Sequence, residues 1–453
     1  MTVSRFLPAQ HLSSRAALVL IAALALGACD TFNDLISPSD DPPLPGERIS
    51  VLALEQQLEA DPRIAGLQVV LPAPYVNDSW AQPGGFPDNV LHHLDASEVL
   101  ARVWRVNAGQ GSTGDGRLTA PPIIADGRAY VLDAEGSVRA FDATTGNRLW
   151  AVDLTPEDAD SEEGFGGGIA YDAGAVFVAT GFGTVVALDA TTGEQFWVHN
   201  GGTPFRAAPS AVGGRVFAIS FDNQIVALAQ ASGDVLWTHS GIQETAGILG
   251  SPSPAVSGDT LVVPYSSGEV FALRVENGQE IWNDTLTRVL SNTALANISD
   301  IAGRPVIDRD RVFAVSHAGR MVAIDIRTGE RAWTRSISGV QTPWVAGDFI
   351  FLVTTSAEVI ALSRRDGRIK WVTQVSRFED EEDRDGAISW SGPVLVGDRL
   401  LLASSTGNAL ALSPYTGEVL GDIEIPDGSF IAPVVANKTV YILTDGADLL
   451  AFR

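Results

Sequence analysis

The stretch ALDATTGEQFW, residues 187–197, restates AFDATTGNRLW, residues 140–150, with Asp, both Thr, Gly and Trp in register. The offset is 47 positions. Self-similarity at a period of about 20–50 residues marks stacked or radial repeat architectures. Locally the stretch reads as a hairpin: an apolar β-branched run, a TTG turn, and a second apolar run. Asp189 can bind backbone N–H groups ahead of it, and Gly193 can take the positive φ that closes such a turn. In a repeated turn position, Asp189 is read as a structural cap rather than a metal ligand or catalytic acid.

Five further versions follow: VALAQASGDVLW ending at Trp237, FALRVENGQEIW at Trp282, VAIDIRTGERAW at Trp333, IALSRRDGRIKW at Trp371 and LALSPYTGEVLG, where Gly421 replaces the Trp. A second hairpin precedes each one, as in APSAVGGRVFAIS (208–220) and GPVLVGDRLLLAS (392–404). One unit is therefore four short strands, A to D. It cannot bury its own faces and must pack on its neighbours, which is the logic of a propeller blade. Strand A is expected near residues 121, 169, 209, 254, 305, 343, 393 and 433, giving eight blades. The last unit stops at Arg453 after three strands, while ARVWRVN (101–107) has strand-D character and no hairpin before it. The expected fold is all-β: an eight-bladed β-propeller over 101–453, its ring closed by an N-terminal strand that completes the C-terminal blade. Closure removes open sheet edges. Trp104, Trp150, Trp197, Trp237, Trp282, Trp333 and Trp371 each offer a large flat surface for docking on the neighbouring blade.

The N-terminus is organised differently. Residues 1–28 carry Arg5 and Arg15, then the short apolar run AALVLIAALAL, then LGAC. This pattern is a bacterial secretory signal with a lipoprotein cleavage box, cut between Ala28 and Cys29, with Cys29 as the lipidated residue. Cys29 is the one cysteine in the chain. Cleavage would take the formal charge from −25 to −27, since 1–28 hold two arginines and no acids. So acidic a chain is not a candidate for nucleic acid or for adsorption to anionic membranes, and the lipid alone would be the anchor. Residues 29–48 form a Pro/Asp-rich flexible tether. Residues 49–100 form a short helix, around RISVLALEQQLEAD (48–61), and an irregular arm lying against the ring. His92 and His93 are adjacent on an extended segment and would point apart, so they do not suggest a metal pair.

The repeats ALDATTGEQFW and AIDIRTGERAW resemble the blade motif of pyrroloquinoline-quinone-type (PQQ-like) propellers. With eight blades and the LGAC box, the chain resembles the outer-membrane protein assembly factor BamB family, over 101–453. The resemblance implies a non-enzymatic scaffold lipoprotein without a cofactor, on the periplasmic face of the outer membrane. It would bind the periplasmic (POTRA) domains of the barrel subunit BamA and other machinery subunits, and would assist unfolded outer-membrane clients. Family contacts fall in inter-blade loops, which match 240–254 and 295–306 here. The expected contact residues are Gly247, Ile248, Leu249, Asp300 and Ile301, with Leu290 and Leu295 as further exposed apolar positions. Leu249 and Ala246 depart from the family's arginine and leucine. The rival reading, a quinoprotein dehydrogenase, lacks its adjacent cysteine pair here.

Two acidic runs, PEDADSEEG (156–164) and EDEEDRDG (379–386), lie in D-to-A connections and lack the regular alternation of a calcium loop. They are read as solvated loop surface.

Overall fold

The computed structural model describes residues 58–114, 116–159, 164, 166–244, 252–287 and 300–453. The repeats form eight four-stranded antiparallel sheets. The inner strands A are Ile123–Ala125, Gly167–Asp172, Ser210–Val212, Ala255–Ser257, Val306–Asp308, Trp344–Ala346, Trp390–Val396 and Val434–Ala436. In blades 1 to 7 the four strands follow in chain order. Blade 8 is built from Val434–Ala436, Thr439–Leu443 and Asp448–Phe452, with Arg102–Asn107 as its outer strand. Ala101 and Arg453 exchange backbone hydrogen bonds of 3.2 and 2.9 Å at the seam. The expected closure is therefore the observed one.

The repeated turn works as its residues dictate. Asp189 Oδ1 accepts the N–H groups of Thr191 and Thr192, both at 2.8 Å, and Gly193 sits at φ 76°. These bonds hold the Asp189 carboxyl below the usual carboxylate range, as the equivalent bonds do for Asp142 and Asp325. The turn also has a second use. An added Cβ on Gly193 would stand 2.8 Å from the Trp150 ring of the preceding blade. The same close approach pairs Trp104 with Gly146, Trp282 with Gly329, Trp333 with Gly367 and Trp371 with Gly417. Each outer-strand indole from Trp150 to Trp371 donates Nε1–H to a carbonyl of the next blade's turn, for example Trp150 to Ala190 at 3.2 Å and Trp371 to Pro414 at 3.1 Å. Glycine is thus required twice, for the turn and for the indole lying flat on it.

Gly421 interrupts the series for a topological reason. Its neighbour, blade 8, has no turn between strands C and D, because those strands belong to opposite ends of the chain. An indole at 421 would find nothing to dock on, and an added Cβ there meets open space.

The N-terminal arm does more than lie against the ring. The described end of the expected helix, 58–61, is non-helical and leads into a single 3-10 turn, Pro62–Ile64. Proline at the first helical position suits a short turn, and the Asp61 carboxylate caps it by accepting the Arg63 N–H at 2.9 Å. From there the arm circles the face carrying the A–B and C–D turns. It bonds the backbone of Ile369 through Asp61, Val435 through Asn77, Ile124 through Trp80, Tyr171 and Ala211 through Gln82, Val256 through Pro87 and Ile307 through Asp88. It returns through His92, whose carbonyl accepts Trp344 Nε1–H at 2.7 Å, and through Leu94, whose carbonyl accepts the Gly397 N–H. Every blade is touched. Strand A is an edge strand facing the channel, so its unpaired backbone groups need partners, and the arm supplies them. Trp80 and Leu94 are buried in the largest core cluster, together with residues of blades 1, 6, 7 and 8.

Candidate partner-binding face

In an antiparallel A-B-C-D blade, the B–C turns and D-to-A connections emerge on one face, opposite the A–B turns. The arm occupies the A–B face, so the other face carries the two expected contact loops. Gly247, Ile248, Leu249, Leu290 and Leu295 lie outside the described residues, as do Ala28, Cys29 and the tether. Asp300 and Ile301 are described, and the expectation that they stand exposed is corrected. Both are fully buried. Ile301 packs in a cluster with Leu286, Ile307 and Val322.

Asp300 is held by an ion pair. Arg206, in the connection entering blade 3, donates to Asp300 Oδ1 at 3.0 Å, with both side chains buried. Arg206 Nη1 also reaches Asn223 Oδ1 at 3.5 Å, an oxygen that accepts from the N–H and Oγ–H of Ser266 in blade 4. Asn223 Nδ2 donates to the Ile242 carbonyl at 2.6 Å, and the Asp300 carbonyl accepts the His317 N–H of blade 5 at 3.0 Å. This network ties blades 3, 4 and 5 together at the roots of connections 240–254 and 284–304. Buried charges persist only when paired and hydrogen-bonded, which is the arrangement here. Reading Asp300 as an exposed interface charge failed because its partner, Arg206, lies 94 residues away in the chain.

Two side chains that the sequence reading did not single out do stand exposed beside this network. Phe221 is 42% exposed at the B–C turn of blade 3, and Ile242 is 60% exposed at the start of connection 240–254. They flank Asn223, which bonds the Ile242 backbone. The available signal was an aromatic directly following Ser220 in the turn, FDNQ (221–224), a place taken by Gly181 in blade 2 and Ser266 in blade 4.

The acidic run 379–386 forms the tip of a small hairpin, Phe378–Asp380 with Asp385–Ala387. Asp380 caps that tip by accepting the N–H groups of Glu382 and Asp383. His93 is buried and bonds the Pro72 carbonyl and the Asp398 N–H, so its role is to fasten the arm. No described helix is long and apolar enough to cross a membrane.

The family model described as outer membrane protein assembly factor BamB matches residues 88–162 and 134–373. The outer membrane protein assembly factor BamB of Escherichia coli K12 is 28% identical over 342 residues, covering 73% of this chain and 79% of that protein. That of Salmonella typhimurium LT2 is 26% identical over 343 residues, covering 73% and 80%. Among solved structures, BamB from Moraxella catarrhalis superposes with a TM-score of 0.66 at 19% identity, covering 78% of this chain and all of that one. Quinohemoprotein alcohol dehydrogenase from Comamonas testosteroni superposes with a TM-score of 0.65 at 14% identity, covering 83% and 80%, a likeness of fold alone. Repeats, ring closure and the extent of the match agree: the chain belongs to the outer membrane protein assembly factor BamB family.

Proposed function

We propose that this protein is a lipid-anchored, non-enzymatic scaffold of the outer-membrane β-barrel assembly machinery. In this reading Cys29 carries the lipid on the periplasmic face of the outer membrane. The propeller docks on the periplasmic domains of a BamA-type barrel subunit through the B–C and D-to-A face of blades 3 to 5, and aids insertion of unfolded clients. The observation that carries the reading is the pair Phe221 and Ile242, exposed above a buried ion-pair network that makes their platform rigid. Exposed apolar residues on a fixed frame, with polar surroundings, have the core-and-rim composition of an interface.

The test is binding of the purified periplasmic domains to the mature protein. Phe221→Asp and Ile242→Asp should each weaken it by roughly tenfold or more, as expected for loss of an interface anchor. Their melting temperatures should stay near wild type. Unchanged affinity in both would move the interface elsewhere. Separately, mass spectrometry should find an acylated Cys29 at the mature N-terminus, and Cys29→Ser should release the protein from membranes.

A further inference from the structure

Inside the ring is a cavity of about 710 Å³. Its floor is the arm, through Trp80, Gly84 and Asn89, and its walls come from the D-to-A connections and strands of blades 5 to 8 and 1. The charge of this lining is opposite to that of the chain. The protein has 55 acidic and 30 basic residues, yet among the described residues the lining holds Arg117, Arg304 and His317 and no Asp or Glu.

Arg304 is the anomaly. Its Nε is shut off from solvent and has no hydrogen-bond partner among the described residues. Among the described residues its guanidinium makes one long hydrogen bond, from Nη1 to Thr342 Oγ1 at 3.5 Å. No carboxylate of the described residues pairs with it, whereas Arg206, Arg364 and Arg139 each face an aspartate. Burial alone pulls its guanidinium down to about 10, so it stays cationic at neutral pH. His317 lines the same cavity, and its Nδ1 is likewise buried without a partner. A half-buried cation with no counter-charge among the described residues is costly, and an orphaned buried donor such as its Nε calls for an occupant. The indoles of Trp344 and Trp390 also line the cavity, and both are held in place. Trp344 donates to the His92 carbonyl and stacks on Trp80, and Trp390 donates to the Ser376 carbonyl. A cation and orphaned polar groups among rigid aromatic walls are the parts of a pocket for a small anion with an apolar body.

We propose that the central chamber binds an organic carboxylate, with Arg304 as its counter-charge and the Trp344 and Trp390 indoles against its apolar body. The carboxylate belongs either to a free acid or to the C-terminus of a chain entering from the face opposite the arm. The site is separate from Phe221 and Ile242, so it stands or falls independently of the partner-binding reading.

Calorimetric titration of the mature protein tests this with phenylacetate against phenylacetamide, and with acetyl-alanyl-alanyl-leucine as acid and as amide. At least one acid should bind saturably, its amide should bind roughly tenfold or more weakly, and Arg304→Gln should remove that preference without lowering the melting temperature. Binding of phenylacetate alone indicates a free acid, and binding of the peptide acid indicates a chain terminus. Either result supports the site. The proposal is overturned if no acid binds up to roughly 10 mM, if acid and amide bind alike, or if chloride binds as well as phenylacetate. Should Arg304→Gln fail to fold, Arg304→Lys and the acid-to-amide comparison on the unaltered protein still decide.

Discussion

Arg206 and Asp300 stand 3.0 Å apart in the interior, although 94 residues separate them in the chain. Their pairing spans blade 4, from the connection that enters blade 3 to the one that enters blade 5. Breaking it strands a buried charge, so Asp300→Ala and Arg206→Ala should each cost roughly 3–5 kcal/mol in denaturant unfolding. Replacing both by apolar residues of similar volume should cost much less, since neither charge is then left alone. Equal losses in the single and double variants would show that the pair contributes more than mutual neutralisation.

The docking tryptophans make a graded prediction. Trp371 is 7% exposed, and its Nε1–H is bonded to the next blade. Trp371→Ala should therefore cost roughly 3–5 kcal/mol. Trp104 sits at the ring closure, where Tyr441 bonds the Ala143 carbonyl and the Trp104 Nε1 has no partner among the described residues. Being also partly exposed, Trp104 should cost less on truncation. Gly421→Trp should bring no gain in melting temperature, because blade 8 has no turn to receive the ring.

Removal of arm contacts should be felt throughout the ring. Leu94→Ala truncates a fully buried side chain whose backbone pairs with blade 7 and should cost roughly 2–5 kcal/mol. In hydrogen exchange, the amides of Ile124 and Ala211, which donate to Trp80 and Gln82, should lose protection first. Unchanged exchange at both amides would mean that the arm is not needed to cover the strand edges.

Asp445 predicts a pH dependence. Burial raises its pKa to about 6, with repulsion from Asp427 adding to it, against the N–H of Phe430 and the charge of Arg117. A folded-state pKa above the unfolded one gives stability that is fully present in acid and is lost as pH rises through about 6. Asp445→Asn should therefore stabilise the protein at neutral pH, by on the order of 1 kcal/mol after solvent screening, with the difference vanishing below about pH 4. Thermal melts of both proteins across that range check the sign.

What the sequence determined by itself was whatever depends on local chemistry repeated in register. Asp189, Gly193 and Trp197 announce a turn, its closure and its docking surface within nine residues, and seven near-copies made the blade count readable. The orphan strand 102–107 was equally legible, because a four-strand rule left one place empty. The tertiary structure alone decided what passes between distant segments. Asp300 looks like a loop charge until Arg206 is brought to it. The arm reads as irregular because its partners are mostly backbone groups of seven different inner strands, and such bonds leave no side-chain pattern. Arg304 reads as one basic residue among thirty until the ring closes around it and leaves it in a chamber whose described lining has no acid. Local hydrogen bonding writes itself into neighbouring residues, whereas burial and charge pairing are properties of the closed ring.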